Sequence, residues 1–560
     1  MMKNIFSGLI LLSAITLGSC YEDKGNYSYH FEDINSVDTL SFTPEAYSGL
    51  NGWMIDYMKT GEADTTTERV TVNPTFSAPD KANEMEYFWY RSYTWNGKNV
   101  RDTLYTPGYM DVLIPQNGEV TYSVILEIRD RATDISYFTR LDVRTREWYT
   151  NSLFVLHGNS VNNMRLGNVE TVGNEPNITL DAFEKANTDP NLHEPFKNAR
   201  VLSYRMDAMS REAELAVFKT DGTAEVYNPF GLKRKYDNYF VMPPTEAGSN
   251  LFIAKTLINL CPSGNGYDFR ALISNDGRFY TSRSLFRFYV PGTTTENTSH
   301  LMPDQYRIGT GVMSYSYYVF WDEKGKRFIH NTFSGTNFIP PFDTANREDA
   351  VLSTPVLDSQ VDPDVLASLQ GMQPVYAYVN NFGGFQQAND VRFIFYDPAH
   401  QRNLMCRLKE NEGGKTRAAG NEENQSPFTA DTISLPGLAI EPGTPIVYNA
   451  SLSLDFFFYA DGSTVYRYNV SNGDKSIIYE APAGYEVSVL KFKQNDDYYY
   501  WGNLYRYLNI GLNRGSEGAV AEIKITSAGD RDEKFEEQFY EGFDNIVDLQ
   551  FCNELQYQID

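Results

Sequence analysis

Six histidines and four cysteines are the residues of this 560-residue chain whose type bears most directly on chemistry. His30, His157, His193, His300, His330 and His400 are scattered, with no two within four residues of each other. No metal-ligand pair of helical or hairpin spacing results. Cys261, Cys406 and Cys552 lie far apart, form no C-x-x-C pair, and read as small buried hydrophobes. "GGKT" at 413–416 ends like a phosphate-binding loop, but Lys409 stands where that loop needs its first glycine. "HEPFK" at 193–197 begins like a zinc-binding helix. Lys197 replaces the second histidine, however, and Pro195 breaks the helix. There is no G-x-S-x-G nucleophile elbow and no calcium-loop pattern. No catalytic residue, metal site or cofactor is predicted.

The remaining cysteine is different. Cys20 follows "MMKNIFSGLILLSAITLGS", in which Lys3 is the only charge and an apolar run ends in small residues. That order is a secretory signal, too short to serve as a permanent span. Leu17-Gly18-Ser19-Cys20 resembles the lipobox of bacterial lipoproteins. The resemblance implies cleavage after residue 19 and acylation of Cys20, palmitate among the chains. Several buried chains, at about 0.8 kcal/mol per CH₂, hold a domain at a membrane.

The formal net charge is −25. A surface so acidic repels nucleic acid, so no nucleic-acid partner is expected. The one basic cluster, Lys233-Arg234-Lys235, reads as a solvated turn. With 40 Tyr, 35 Phe, 40 Gly and 25 Pro, the composition favours pleated strands joined by turns.

Residues 1–19 read as the signal, and the acidic stretch 20–36 as a tether. Residues 37–147 read as one β-sandwich. In "TERVTVNPTF", Val70 and Val72 share a face. In "GEVTYSVILEIRDRATDISYFTRLDVRT", Val120, Tyr122, Val124, Leu126 and Ile128 alternate. A turn follows at Asp130–Thr133, and Tyr137, Thr139, Leu141 and Val143 alternate back, as in an antiparallel hairpin with one buried face. This segment resembles the closing strands of PKD domains, which are immunoglobulin-like sandwiches. Together with "CYEDKGNYSYHFEDIN", it is similar to the PKD-like lipoproteins of Bacteroidetes. That resemblance also implies a propeller-like C-terminal part.

From 148 to 560 one hairpin type recurs. Turns fall near Gly158, Asp221-Gly222, Asp276-Gly277, Lys324-Gly325, Pro398, Asp461-Gly462 and Gly515, each between aromatic runs, about 60 residues apart. Several strands per unit at such a period predict a β-propeller. The expected fold is therefore all-β, an immunoglobulin/PKD-like sandwich followed by a β-propeller of seven blades, with six or eight blades, or two further sandwiches, as alternatives. "DPDVLASLQGM" at 362–372 predicts a short helix, and the Gly-rich 411–427 a loop. Sialidase-type blades carry Ser-x-Asp-x-Gly-x-x-Trp, but "SNDGRFY" at 274–280 has its glycine one place early and no Trp, and reads as a plain hairpin.

Dense aromatics are the candidate ligand platform. Tyr499 and Trp501 share a face of "DDYYYWGNLYRY", and Trp321 ends "SYSYYVFW". Strand packing explains the same residues. Glu22 and Asp23 behind Cys20 resemble the signal for export to the outer leaflet of the outer membrane in such lipoproteins. The implied function is non-catalytic capture of a glycan or peptide beside a SusC/SusD-type importer, at the mouth of the propeller. A surface hydrolase and a pure protein scaffold are the alternatives.

Overall fold

The computed structural model describes residues 35–49, 52–58, 65–95, 98–106, 108–115, 121–146, 148–172, 175–186, 196–206, 213–236, 254–259, 269–283, 288–289, 301, 304–313, 317–332, 356–381, 390–410, 428–449, 455–493 and 506–553. The chain divides into two units, residues 1–146 and 147–560.

In the first unit, Val37–Thr43, Thr65–Phe76 and Tyr109–Pro115 form a three-stranded sheet. A six-stranded sheet runs in the order Tyr47–Gly49, Gly52–Met58, Ser136–Arg146, Thr121–Asp130, Met85–Trp95, Lys98–Tyr105. The core contains Val70, Val72, Trp89, Val112, Tyr122, Val124, Leu126, Ile128, Leu141 and Val143. The alternation read from the sequence is thus the inward face of each sheet. The Thr121–Asp130 hairpin is closed by its last residue. Asp130 Oδ1 accepts the Ala132 N–H at 2.9 Å and Oδ2 accepts the Thr133 hydroxyl at 2.9 Å. Tyr137 keeps the register but sits near the strand's start, 41% exposed.

The second unit holds seven four-stranded antiparallel sheets among the described residues. Named by innermost strand, blades 2 to 7 begin at Ala199–Met206, Ala254–Asn259, Ile308–Met313, Gln373–Asn381, Ile446–Val447 and Glu486–Phe492. Blade 1 is composite. Its outer three strands, Asn151–His157, Arg165–Val172 and Glu175–Thr179, come first in the unit, and its innermost strand, Ile546–Asn553, comes last. That last strand packs beside the innermost strands of both blade 2 and blade 7. The ring is closed by hydrogen bonding between the two ends of the repeat.

All seven turns anticipated from sequence are the hairpins between second and third strands, one per blade. Each second strand lies inside its sheet with a blade on either side, so both of its faces are covered. In blade 4, Tyr318 and Phe320 enter the core shared with blade 3, while Val319 and Trp321 enter the core shared with blade 5. In blade 6, Phe457 and Tyr459 face blade 5, and Phe456 and Phe458 face blade 7. A strand buried on both faces reads as a continuous apolar run.

The short helix Pro363–Ser368 is present. Asp362 caps it, accepting the Asp364 N–H at 2.9 Å, and Gly371 beyond it takes φ +78°. Loop 411–427 lies outside the described residues. The basic cluster is not a free turn. Arg234–Tyr236 is the outermost strand of blade 2, with Arg234 3.3 Å from Glu225 and Lys235 3.5 Å from the buried Glu214.

Candidate functional site

In an antiparallel blade the innermost strand starts at the same end as the second-to-third hairpin. One face of the propeller therefore collects both, and loops gathered by a rigid scaffold are where sites form. In blade 4 that hairpin is Asp322-Glu323-Lys324-Gly325-Lys326-Arg327. Asp322 is fully buried and organises it. Its Oδ1 accepts the Arg307 N–H at 2.8 Å and the Lys324 N–H at 3.0 Å, and its Oδ2 accepts Arg327 Nε–H at 3.2 Å. One carboxylate so ties the hairpin to the start of the innermost strand. Gly325 is needed here because a Cβ would come within 2.5 Å of Asp322 Oδ2 and 2.6 Å of Arg327 Nε. Blade 5 repeats the part of this device that lies within the hairpin. Asp397 Oδ2 accepts from Arg402 Nε at 3.2 Å and lies 2.7 Å from His400 Nδ1.

Against this hairpin lies a cleft of about 930 Å³. It is bounded by blade 4 (Arg307, Thr310, Glu323, Lys324, Lys326), the start of blade 5 (Met372 to Tyr376) and Pro442–Thr444, which leads into blade 6. Glu323 folds over Gly309, where a Cβ would meet its Oε1 at 2.5 Å. Its other oxygen is 3.7 Å from Arg307 Nε. The stem of Arg307 rests on the blade 3 hairpin, since a Cβ on Gly277 would meet Arg307 Cγ at 2.4 Å. Lys324 Nζ donates to the Asp304 carbonyl. Tyr376 is half-buried, its hydroxyl accepts the Tyr448 N–H at 3.2 Å, and desolvation pushes its phenol up to about 12, so it is neutral at physiological pH. The lining offers three cations, one carboxylate, hydroxyls, an amide and one aromatic ring.

Of the residues singled out from sequence, Trp321 falls elsewhere. Trp321 is fully buried, with Phe328 and Phe395 rings each 5.0 Å away. It presents no face to a ligand, because the strand that carries it is covered by blades on both sides. Tyr499, Trp501 and Cys20 lie outside the described residues. The 274–280 hairpin is closed on itself, with Ser274 Oγ donating to Asp276 and accepting the Arg278 N–H at 3.2 Å. Two histidines are structural. His157 Nδ1 accepts the Asp544 N–H at 3.1 Å while Nε2–H donates to the Leu180 carbonyl at 2.8 Å, and burial lowers its pKa. His330 lies 3.1 Å from the Ser359 hydroxyl, and burial pushes it down to about 4. Burial raises the Cys406 thiol, the opposite of a reactive cysteine. Among the described residues no group of three or more His, Cys, Asp or Glu is placed to hold a metal ion. Arg307, Lys326 and Tyr376 were not signalled as a set. The repeated Asp-x₄-Arg spacing, 322/327 and 397/402, is the pattern that marks these hairpins.

A family model described as the PKD-like family matches residues 20–195. The N-terminal sandwich is a PKD-like domain. The match runs past the PKD-like sandwich into the outer strands of blade 1. Among curated proteins none matches the chain. Solved structures similar to it include a quinonprotein alcohol dehydrogenase-like protein from Bacteroides thetaiotaomicron, at 9% identity and TM-score 0.38, covering 89% of this chain and 96% of that one. Another is BBS1N in complex with ARL6DN, at 11% identity and TM-score 0.33, covering 59% and 90%. Likenesses this distant say nothing of what the chain binds or does.

Proposed function

We propose that the protein is a lipid-anchored surface lipoprotein of the outer membrane that captures a nutrient glycan or peptide for a SusC/SusD-type importer, without turning it over. Acylated Cys20 is the anchor, residues 20–36 the tether, the PKD-like sandwich a spacer, and the propeller the binding body. The observation that carries the binding reading is the makeup of the cleft. Among its lining residues Glu323 is the single carboxylate, held over Gly309 beside Arg307. Hydrolysis of a glycosidic bond ordinarily takes two carboxyl groups across the bond. The same lining has the hydrogen-bonding groups and ring face that binding needs. No cofactor is part of the proposal.

The test is mild detergent extraction of native outer membrane with a C-terminally tagged chain, and identification of what co-purifies. Recovery of a SusC/SusD-like pair in fixed ratio is expected. Recovery of the chain alone overturns membership in such a complex.

A further inference from the structure

We infer that the cleft between blades 4 and 5 selects an acidic oligosaccharide, one whose uronate carboxylates are taken by Arg307 and Lys326. The inference rests on the capture reading above and narrows its ligand.

The charge balance is the first ground. The chain carries a net −25, yet this cleft is lined by three cations and one carboxylate. The acids beneath offset only part of that charge. Asp322 spends one oxygen on two backbone N–H groups and the other on Arg327, which also holds Asp358 at 3.0 Å. Glu323 is 3.7 Å from Arg307 Nε, too long for a hydrogen bond, so the guanidinium keeps donors for a planar carboxylate. Lys324 reaches an uncharged carbonyl. Lys326 is exposed and has no ion-pair partner among the described residues. Its backbone sits at φ +52°, where the tight hairpin holds it.

The neutral groups argue for a sugar. Gln373, Thr310 and Thr444 supply an amide and two hydroxyls matched to ring hydroxyls, and Tyr376 supplies an aromatic surface for ring C–H groups. At about 930 Å³ the cleft is near the upper end of small-ligand sites, roughly 300–1,000 Å³, with room for more than one ring. Extended peptides are commonly held by the free N–H and C=O groups of a strand edge. Here only the first residues of two innermost strands, Gly309-Thr310 and Gln373 to Tyr376, join the turns in the lining, and Pro374 and Pro442 have no N–H to give.

The test is isothermal titration of the full chain in detergent with three probes: tetragalacturonate, its fully methyl-esterified form, and an oligoglutamate of equal charge. The acid is expected to bind at least tenfold more tightly than the ester. Lys326→Ala and Arg307→Ala should each weaken acid binding about tenfold and flatten its salt dependence. Lys326→Arg should retain binding, and the exposed Lys534→Ala should change nothing. Thermal melts of each variant confirm folding, as the Lys326 side chain packs against no core. Equal affinity for acid and ester overturns the inference, as does oligoglutamate binding as tightly as the sugar, an unaffected Lys326→Ala, or no binding of any probe. None of these outcomes touches the co-purification result, on which the capture reading itself stands or falls.

Discussion

Asp548 Oδ2 accepts the backbone N–H of Leu202 at 2.8 Å, joining residues 346 apart in sequence. Asp548 sits on the closing strand of blade 1 and Leu202 on the innermost strand of blade 2. On its other side Asp548 Oδ1 is 2.6 Å from Lys491 Nζ of blade 7. One carboxylate therefore clasps the first and last blades to the strand that closes the ring. Asp548→Ala leaves the buried Leu202 N–H unpaired and is expected to destabilise the propeller by about 2–3 kcal/mol. Lys491→Ala removes a partly exposed ion pair and should cost under about 1 kcal/mol. Denaturant unfolding of both variants measures the difference, and equal losses would contradict this account of the clasp.

Stability should depend on pH in the mildly acidic range. His330 and His157 are both held neutral, with folded values below the ordinary one of about 6.5. The unfolded chain then binds more protons than the folded one below about pH 6.5. Stability is full above that value and is lost as pH falls toward about 4, where His330 itself titrates in the fold. The His330 contribution reaches about 3 kcal/mol at most. Thermal melts between pH 7 and 4 should show the decline, and His330→Gln should flatten part of it.

Trp321 is a packing residue and should behave as one. Trp321→Ala opens the core between blades 4 and 5 and is expected to cost about 3–5 kcal/mol. A Trp321→Phe variant that keeps its fold should bind ligand as the parent does. Loss of affinity in a folded Trp321→Phe protein would restore the residue to the site.

Gly277 should resist substitution for two reasons. Its φ is +84°, and a Cβ would meet Arg307 Cγ at 2.4 Å and the Ile308 nitrogen at 2.9 Å. Gly277→Ala is expected to destabilise by about 1–3 kcal/mol. It should also weaken binding in the cleft by displacing Arg307. Gly515→Ala, at φ +62° in the equivalent hairpin of blade 7 but with open space around it, should show the smaller stability loss and no binding change.

Cys20→Ala is expected to release the chain from the membrane fraction into the soluble one, because the proposed acyl chains are its anchor. Fractionation and palmitate labelling of both forms read this out. Retention of the variant in the membrane would rule out Cys20 as the sole anchor.

What the sequence determined by itself was local. Asp-Gly and related turns between aromatic runs specify hairpins whatever surrounds them, and seven of them stand in the sequence. Alternation over 122–128 and 141–143 specified one buried face, because the sandwich covers its sheets on one side only. The resemblance to a lipobox at Cys20 rests on a linear pattern. What the tertiary structure decided was non-local. Trp321 looked available because alternation implies a free face, but a blade is covered on both, and only the neighbouring blade reveals that. Ring closure pairs Asn151–His157 with Ile546–Asn553, and no hairpin spacing encodes a partner nearly 400 residues away. The cleft draws Arg307, Lys326 and Tyr376 from two blades. Each is unremarkable in its own strand or turn, and they form a site only because packing sets one hairpin beside the start of the next blade.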